Sequence, residues 1–232
     1  MTQAFHIGFL LYPNLTQLDL TGPAQFLSRA PGAQVHHVWK TLDPVPSDSG
    51  FALVPTATFE TCPPLDMICV PGGAGQVALM SDEETLSFLR LQAEGARYVT
   101  SVCTGSLVLG AAGLLQGHRA TCHWMWLEWL SSFGAIPEAA RVVKDRNRIT
   151  GGGVTAGIDF ALSVIAEVWG EEVAKRIQLF LEYDPQPPFS CGSPALAGPE
   201  LTAEVRALSS ATRAERDAAM LAAARRQAER KP

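Results

Sequence analysis

No stretch of the 232 residues approaches the roughly 20 consecutive apolar positions needed to cross a bilayer, which excludes a membrane-spanning helix. Charge is also scarce. Charged residues make up 18% of the chain, and the formal net charge is −5, so there is no basic surplus of the kind a general nucleic-acid binder carries. No Cys-x-x-Cys pair occurs, and the five cysteines, Cys62, Cys69, Cys103, Cys122 and Cys191, are odd in number and scattered. That argues against a disulfide framework and against a zinc ribbon. The opening residues lack a charged segment and a small-residue cleavage site, so they read as a first strand and not as a signal peptide. Repeats and low-complexity tracts are absent. These absences lead us to expect a reduced, cytoplasmic, soluble protein. Hydrophobic residues make up 47% of the chain, and a chain of this length buries roughly 70% of its unfolded surface, enough for a core without metal or disulfide staples.

Short β-type runs fall at 5–11 (FHIGFLL, closed by Pro13), 34–40, 66–71 and 97–102. A hairpin of 141–144 and 148–150 surrounds Asp145-Arg146-Asn147. The continuous apolar character of the first run suits a strand buried on both faces. Helical stretches are expected at 22–30, after a Thr-Gly-Pro start, and at 81–94, where Ser81 and Glu84 have capping-box spacing. Further helices are expected at 104–115, 155–169 and 171–183. Strands alternating with helices of this length predict a mostly parallel sheet in an α/β sandwich. Residues 1–198 read as one domain. After the Pro/Gly-rich traverse near 185–199, residues 199–232 read as a helical extension packed on the domain or on a second subunit. Seven Lys/Arg and five Asp/Glu after Gly198 give that tail mixed charge, the mark of a solvated helix more than of a nucleic-acid arm.

Ser101-Val102-Cys103-Thr104-Gly105 lies where a predicted strand gives way to a helix. A tight strand-to-helix turn needs small residues two before and two after its apex, because the flanking backbones come close. The spacing matches the Gly-x-Ser-x-Gly nucleophile elbow with a thiol at the apex. A thiol there sits at the carboxyl end of the sheet and at a helix N-terminus, which favours thiolate. The bland alternative is a buried, inert cysteine. Pro71-Gly72-Gly73-Ala74-Gly75 closes another strand; the Gly72 and Gly73 amides, with that of Thr104, are candidates to stabilise negative charge, or else form a plain turn. Asp19, between Leu18 and Leu20, is either a helix cap or a desolvated acid whose raised pKa suits proton transfer. His123 is a candidate base for Cys103, or a structural histidine beside Trp124. Residues 151–156 (GGGVTA) match a dinucleotide pattern but fall too late in the chain for a first βαβ unit. His118, Cys122 and His123 lack a fourth ligand and make a poor metal site.

Taken together, Asp-Leu-Thr-Gly-Pro (19–23), Pro-Gly-Gly-Ala-Gly, Ser-Val-Cys-Thr-Gly-Ser and Thr-Ala-Gly-Ile-Asp (155–159) resemble the DJ-1/PfpI superfamily and, within it, the isonitrile hydratases. The resemblance covers roughly residues 5–195. It implies a flavodoxin-like three-layer sandwich, a homodimer, and no metal or organic cofactor. It also implies Cys103 as nucleophile and Asp19 as acid/base, with Thr104 orienting the thiol or water. Thr104 stands where the protease-like branch has histidine, which counts against a peptidase. Cys122 stands where threonine is expected. The implied reaction is hydration of a small neutral isonitrile to a formamide through a thioimidate. Competing readings are a DJ-1-like activity on glyoxals or glycated adducts, a redox-sensing cysteine without turnover, and the ligand-sensing half of a transcription regulator. The last is disfavoured because no recognisable pair of DNA-reading helices follows residue 199. No nucleic-acid or membrane partner is expected.

Overall fold

The computed structural model describes residues 4–208 and 210–229. Its centre is a seven-stranded sheet built from β1 (Phe5–Leu10), β2 (Ala33–Trp39), β3 (Ala57–Thr58), β4 (Met67–Val70), β5 (Tyr98–Val102), β6 (Val142–Asp145) and β7 (Arg148–Gly151). The spatial order is β6-β7-β5-β4-β1-β2-β3, and every pairing is parallel except the β6–β7 hairpin. Ile7, Phe9 and Leu10 of β1 are fully buried, as are Met67 through Val70 of β4. Strands covered on both faces need this unbroken apolar character, and it is why both runs were legible as sequence.

Two helical groups cover the sheet. Helix α1 (Gln17–Leu27) packs on α4 (Ala156–Trp169), which packs on α5 (Glu171–Phe180). The second group is α2 (Glu83–Gly95), α3 (Gly105–Ala111), a 3-10 segment Leu127–Phe133, and α7 (Ser210–Glu229). Helix α6 (Pro194–Leu208) breaks at Gly198, whose φ of 79° precedes Pro199, and it buries no residue fully. Helix α7 sinks Met220 and Ala223 into the core. No described helix is long and apolar enough to cross a membrane.

The structure corrects several expected boundaries. Helix α1 starts at Gln17 and not near Gly22, so Asp19 occupies its first turn and Pro23 lies inside it. Proline there removes one backbone bond. Close packing compensates: a Cβ on Gly157 of α4 would stand 3.1 Å from Pro23 Cδ. The cap of α2 is Asp82 rather than Ser81. Asp82 accepts from the Thr85 backbone and hydroxyl, while Ser81 donates to the Ala78 carbonyl. Helix α3 ends at Ala111, short of residue 115. Helix α6 begins within the Pro/Gly-rich traverse.

The order in which strands are added across the sheet reverses between β1 and β4. β1 leads outward to β2, while β4 and β5 lie on its other side. Open α/β sheets leave a crevice at the carboxyl ends of strands flanking such a switch. The first turn of α1, which follows β1, and the loops that follow β4 and β5 meet there, and they carry Asp19, Gly72 and Cys103.

Candidate active site

Cys103 is the apex of the β5–α3 turn. Its φ is +57°, left-handed backbone that costs a residue with a Cβ roughly 1 kcal/mol or more. The turn is held from both sides. The Cys103 N–H donates to the carbonyls of Gly151 (3.1 Å) and Gly152 (2.7 Å), which gives the glycine run after β7 an anchoring task. A Cβ on Gly105 would stand 1.9 Å from the Val70 carbonyl oxygen, so the β4 end and the start of α3 meet only because residue 105 is glycine. Ser106 Oγ donates to the Thr121 carbonyl (2.6 Å), so Ser101 Oγ donates to Ser106 Oγ (2.9 Å). Both flanking small residues therefore serve the elbow.

Asp19 is fully buried. Its Oδ2 accepts from the Gly72 N–H at 2.8 Å, and its Oδ1 has no hydrogen-bond partner. A Cβ on Gly72 would lie 2.7 Å from Asp19 Oδ2, 2.6 Å from the Thr104 nitrogen and 2.7 Å from Thr104 Oγ1. Gly72 is thus the point where the carboxylate, the glycine loop and the elbow converge. The Gly73 N–H donates to Thr104 Oγ1 at 3.1 Å.

These contacts revise two expectations. The Gly72 and Gly73 amides are occupied by Asp19 and Thr104, so they serve to orient the acid and the elbow and do not stand free for an oxyanion. The influence of the helix terminus on Cys103 is also opposed by its surroundings. Burial pushes the thiol well above its ordinary range, and the Asp19 and Cys122 side chains add to this, against a smaller opposing bond from the Thr104 N–H. Asp19 is pushed up to about 7, chiefly by burial and slightly by Asp48, with the Gly72 N–H and the Cys103 thiol opposing. Burial thus favours the protonated forms of both groups and places the Asp19 carboxyl to exchange a proton near neutral pH.

No hydrogen bond links His123 to Cys103. His123 Nδ1 accepts from the Met125 N–H (3.3 Å), its ring lies 5.7 Å from that of Trp124, and burial lowers its pKa, which leaves it neutral. His118 faces Asp145 instead. Among the described residues no group of three His, Cys, Asp or Glu is arranged to hold a metal. Burial also raises Cys69, to about 12, and Cys62, to about 11; Cys191 is exposed. Sequence reasoning missed Tyr12, a fully buried residue just past β1 whose hydroxyl donates to the Pro71 carbonyl at 2.7 Å. The available signal was a tyrosine ending an otherwise apolar run.

The structure thus sets a cysteine elbow beside a buried carboxyl at the topological switch of a mostly parallel α/β sandwich. The chain belongs to the DJ-1/PfpI family, whose model matches residues 6–167. It is 60% identical over 203 residues to the isonitrile hydratase of Pseudomonas putida, a match covering 88% of this chain and 89% of that protein. A THiJ/PfpI family protein from Pseudomonas syringae has the same fold, with a TM-score of 0.88 and 50% identity over 95% of this chain and 90% of that one. The transcriptional regulator GbdR of Pseudomonas aeruginosa is 32% identical over 187 residues, covering 77% of this chain but only 50% of the regulator.

Proposed function

We propose that this protein hydrates isonitriles, R–N≡C, to N-substituted formamides, with Cys103 as nucleophile and Asp19 as proton carrier. The observation that carries the reading is the Cys103–Asp19 pair at the elbow, in a chain 60% identical to an isonitrile hydratase. Asp19 as carboxylate takes the Cys103 proton as the sulfur attacks the terminal isonitrile carbon. It then delivers that proton to the same carbon, which gives the thioimidate R–N=CH–S–Cys103. Water activated by Asp19 adds to this carbon, the nitrogen is protonated, and the C–S bond breaks. Formamide leaves and the thiol is restored, so the net change is addition of one water. Thr104 supports the sulfur through its N–H, and its hydroxyl, which accepts from Gly73 and donates to no described residue, is available to substrate or water. Apart from the reactive carbon such substrates are neutral and apolar, which suits a site framed by uncharged residues and one shared proton.

The working form we propose is a cytoplasmic homodimer without metal or organic cofactor. The dimer is supported by the exposure of Leu179 and Phe180 on α5, Phe189 in the segment that follows it, and Leu196 and Leu208 on α6. The deciding experiment is turnover of para-nitrophenyl isocyanide, with formamide followed by chromatography and methylglyoxal assayed in parallel. Formamide from the wild type and none from Cys103→Ala is expected. Full turnover by Cys103→Ala, or activity on methylglyoxal alone, overturns the reading.

A further inference from the structure

The Asp19 carboxylate is held by one peptide group whose two ends are both engaged. The Gly72 N–H donates to Asp19 Oδ2 at 2.8 Å, and the carbonyl of that same peptide unit, Pro71 O, accepts from Tyr12 Oη at 2.7 Å. Hydrogen bonds in series through a peptide group strengthen one another: a donor on the carbonyl withdraws electron density and makes the N–H a better donor. The neighbouring peptide is tied down separately, with the Thr16 N–H on Gly72 O (2.9 Å) and its own Gly73 N–H on Thr104 Oγ1 (3.1 Å), and the Gly75 N–H fixes the loop further on the Asn14 carbonyl (3.3 Å). The Tyr12 ring itself fits against the loop, since a Cβ on Gly75 would lie 3.0 Å from Tyr12 Cδ2. Phenylalanine would fill this buried space as well, so what the hydroxyl adds is the bond to Pro71.

We propose that Tyr12 is a positioning residue that acts through the Pro71–Gly72 peptide to hold the Asp19 carboxylate against Cys103. The inference rests on the reading of Asp19 as the proton carrier. The titratable groups that act on Asp19, or on which it acts, are Tyr12 from the end of β1, Asp48 from the loop that caps α1, Cys69 of β4, Cys103 at the elbow and Cys122. None of them is a cation. With no positive charge to favour the carboxylate, the Gly72 N–H is the main group opposing the effect of burial, and Tyr12 sets how strongly it donates.

The test is the ionisation of Asp19 in wild type and Tyr12→Phe, followed by the carboxyl ¹³C resonance that disappears in Asp19→Asn. Loss of the Tyr12 hydroxyl weakens the Gly72 donor, so the midpoint moves up by roughly half a pH unit. The acid limb of kcat/KM for an isonitrile moves with it. Site-specific 3-fluorotyrosine at position 12, a stronger donor in the same space, moves the midpoint down, and it serves also if Tyr12→Phe does not fold. An unchanged midpoint in the variants that fold, whatever their thermal stability, overturns the proposal. The resonance needs no substrate, so if no isonitrile is turned over the functional reading fails while the role of Tyr12 is still decided.

Discussion

Gly72 N–H sits 2.8 Å from Asp19 Oδ2, and a Cβ on the same glycine would stand 2.7 Å from that oxygen. The position therefore provides the bond and the space at once. Gly72→Ala drives a methyl into the carboxylate and into the Thr104 backbone, neither of which is the free end of a flexible side chain. We expect a folded protein destabilised by about 1–3 kcal/mol, with kcat reduced about a hundredfold as the acid is displaced. Near-wild-type turnover from this variant contradicts the convergence described here.

Asp19 makes the protein's stability depend on pH in the direction opposite to most carboxylates. Its folded pKa, about 7, lies above the unfolded value near 3.8, so between these the native state keeps a proton that the unfolded chain has released. Stability therefore falls as pH rises from about 4 to 7. By pH 8 the buried charge costs about 4 kcal/mol. Asp19→Asn keeps an acceptor for Gly72 and removes the charge. Urea unfolding should show the variant gaining on wild type between pH 5 and 8 while its kcat drops by about a hundredfold or more. An equal stability difference at both pH values rules this account out.

The positions of six of the seven sheet strands and of the elbow could be read from the sequence, because buried strands and a Ser-x-Cys-x-Gly turn impose local composition; the two-residue edge strand β3 (Ala57–Thr58) is too short to leave such a pattern. The acidity of Cys103 could not. The helix-terminus argument is local and favours thiolate, whereas burial and the Asp19 charge, which come from segments distant in sequence, act in the opposite direction. The start of α1 was hidden for a related reason. Gly22-Pro23 looks like a helix boundary until Gly157 of a helix more than a hundred residues later packs against the proline ring. The Gly72 and Gly73 amides were correctly placed near the elbow, but their partners, Asp19 and Thr104, are set by tertiary contacts that spacing does not encode.

Thiol labelling offers a direct check on the resting state of the nucleophile. Cys191 is exposed, while Cys103 is buried in surroundings that favour its thiol form. Brief iodoacetamide treatment at pH 7, read by peptide mass mapping, should modify Cys191 well before Cys103. Adding an isonitrile should leave Cys191 labelling unchanged and slow that of Cys103 further as the thioimidate forms. Preferential alkylation of Cys103 in the free protein would restore the thiolate expected from the helix terminus.

The far edge of β1 carries a second pH response, of the opposite sign. His6 Nδ1 and His36 Nε2 on adjacent strands lie 2.9 Å apart, with rings 5.2 Å apart, so one nitrogen donates and the other accepts. Protonating His36 makes its Nε2 a donor only and removes its capacity to accept from His6. The pKa of His36 is lowered by desolvation and then by His6, and that of His37 by desolvation and then by His36. Folded values below the unfolded one, near 6.5, mean that the unfolded chain binds protons first, so this stability is present above about pH 6.5 and is lost as pH falls below it. Replacing His36 with Gln removes one titrating ring while leaving a polar partner for His6. In the Asp19→Asn background, which silences the opposing trend, His36→Gln should flatten the loss of stability between pH 7 and 5. If the slope is unchanged, the imidazole pair is not its source.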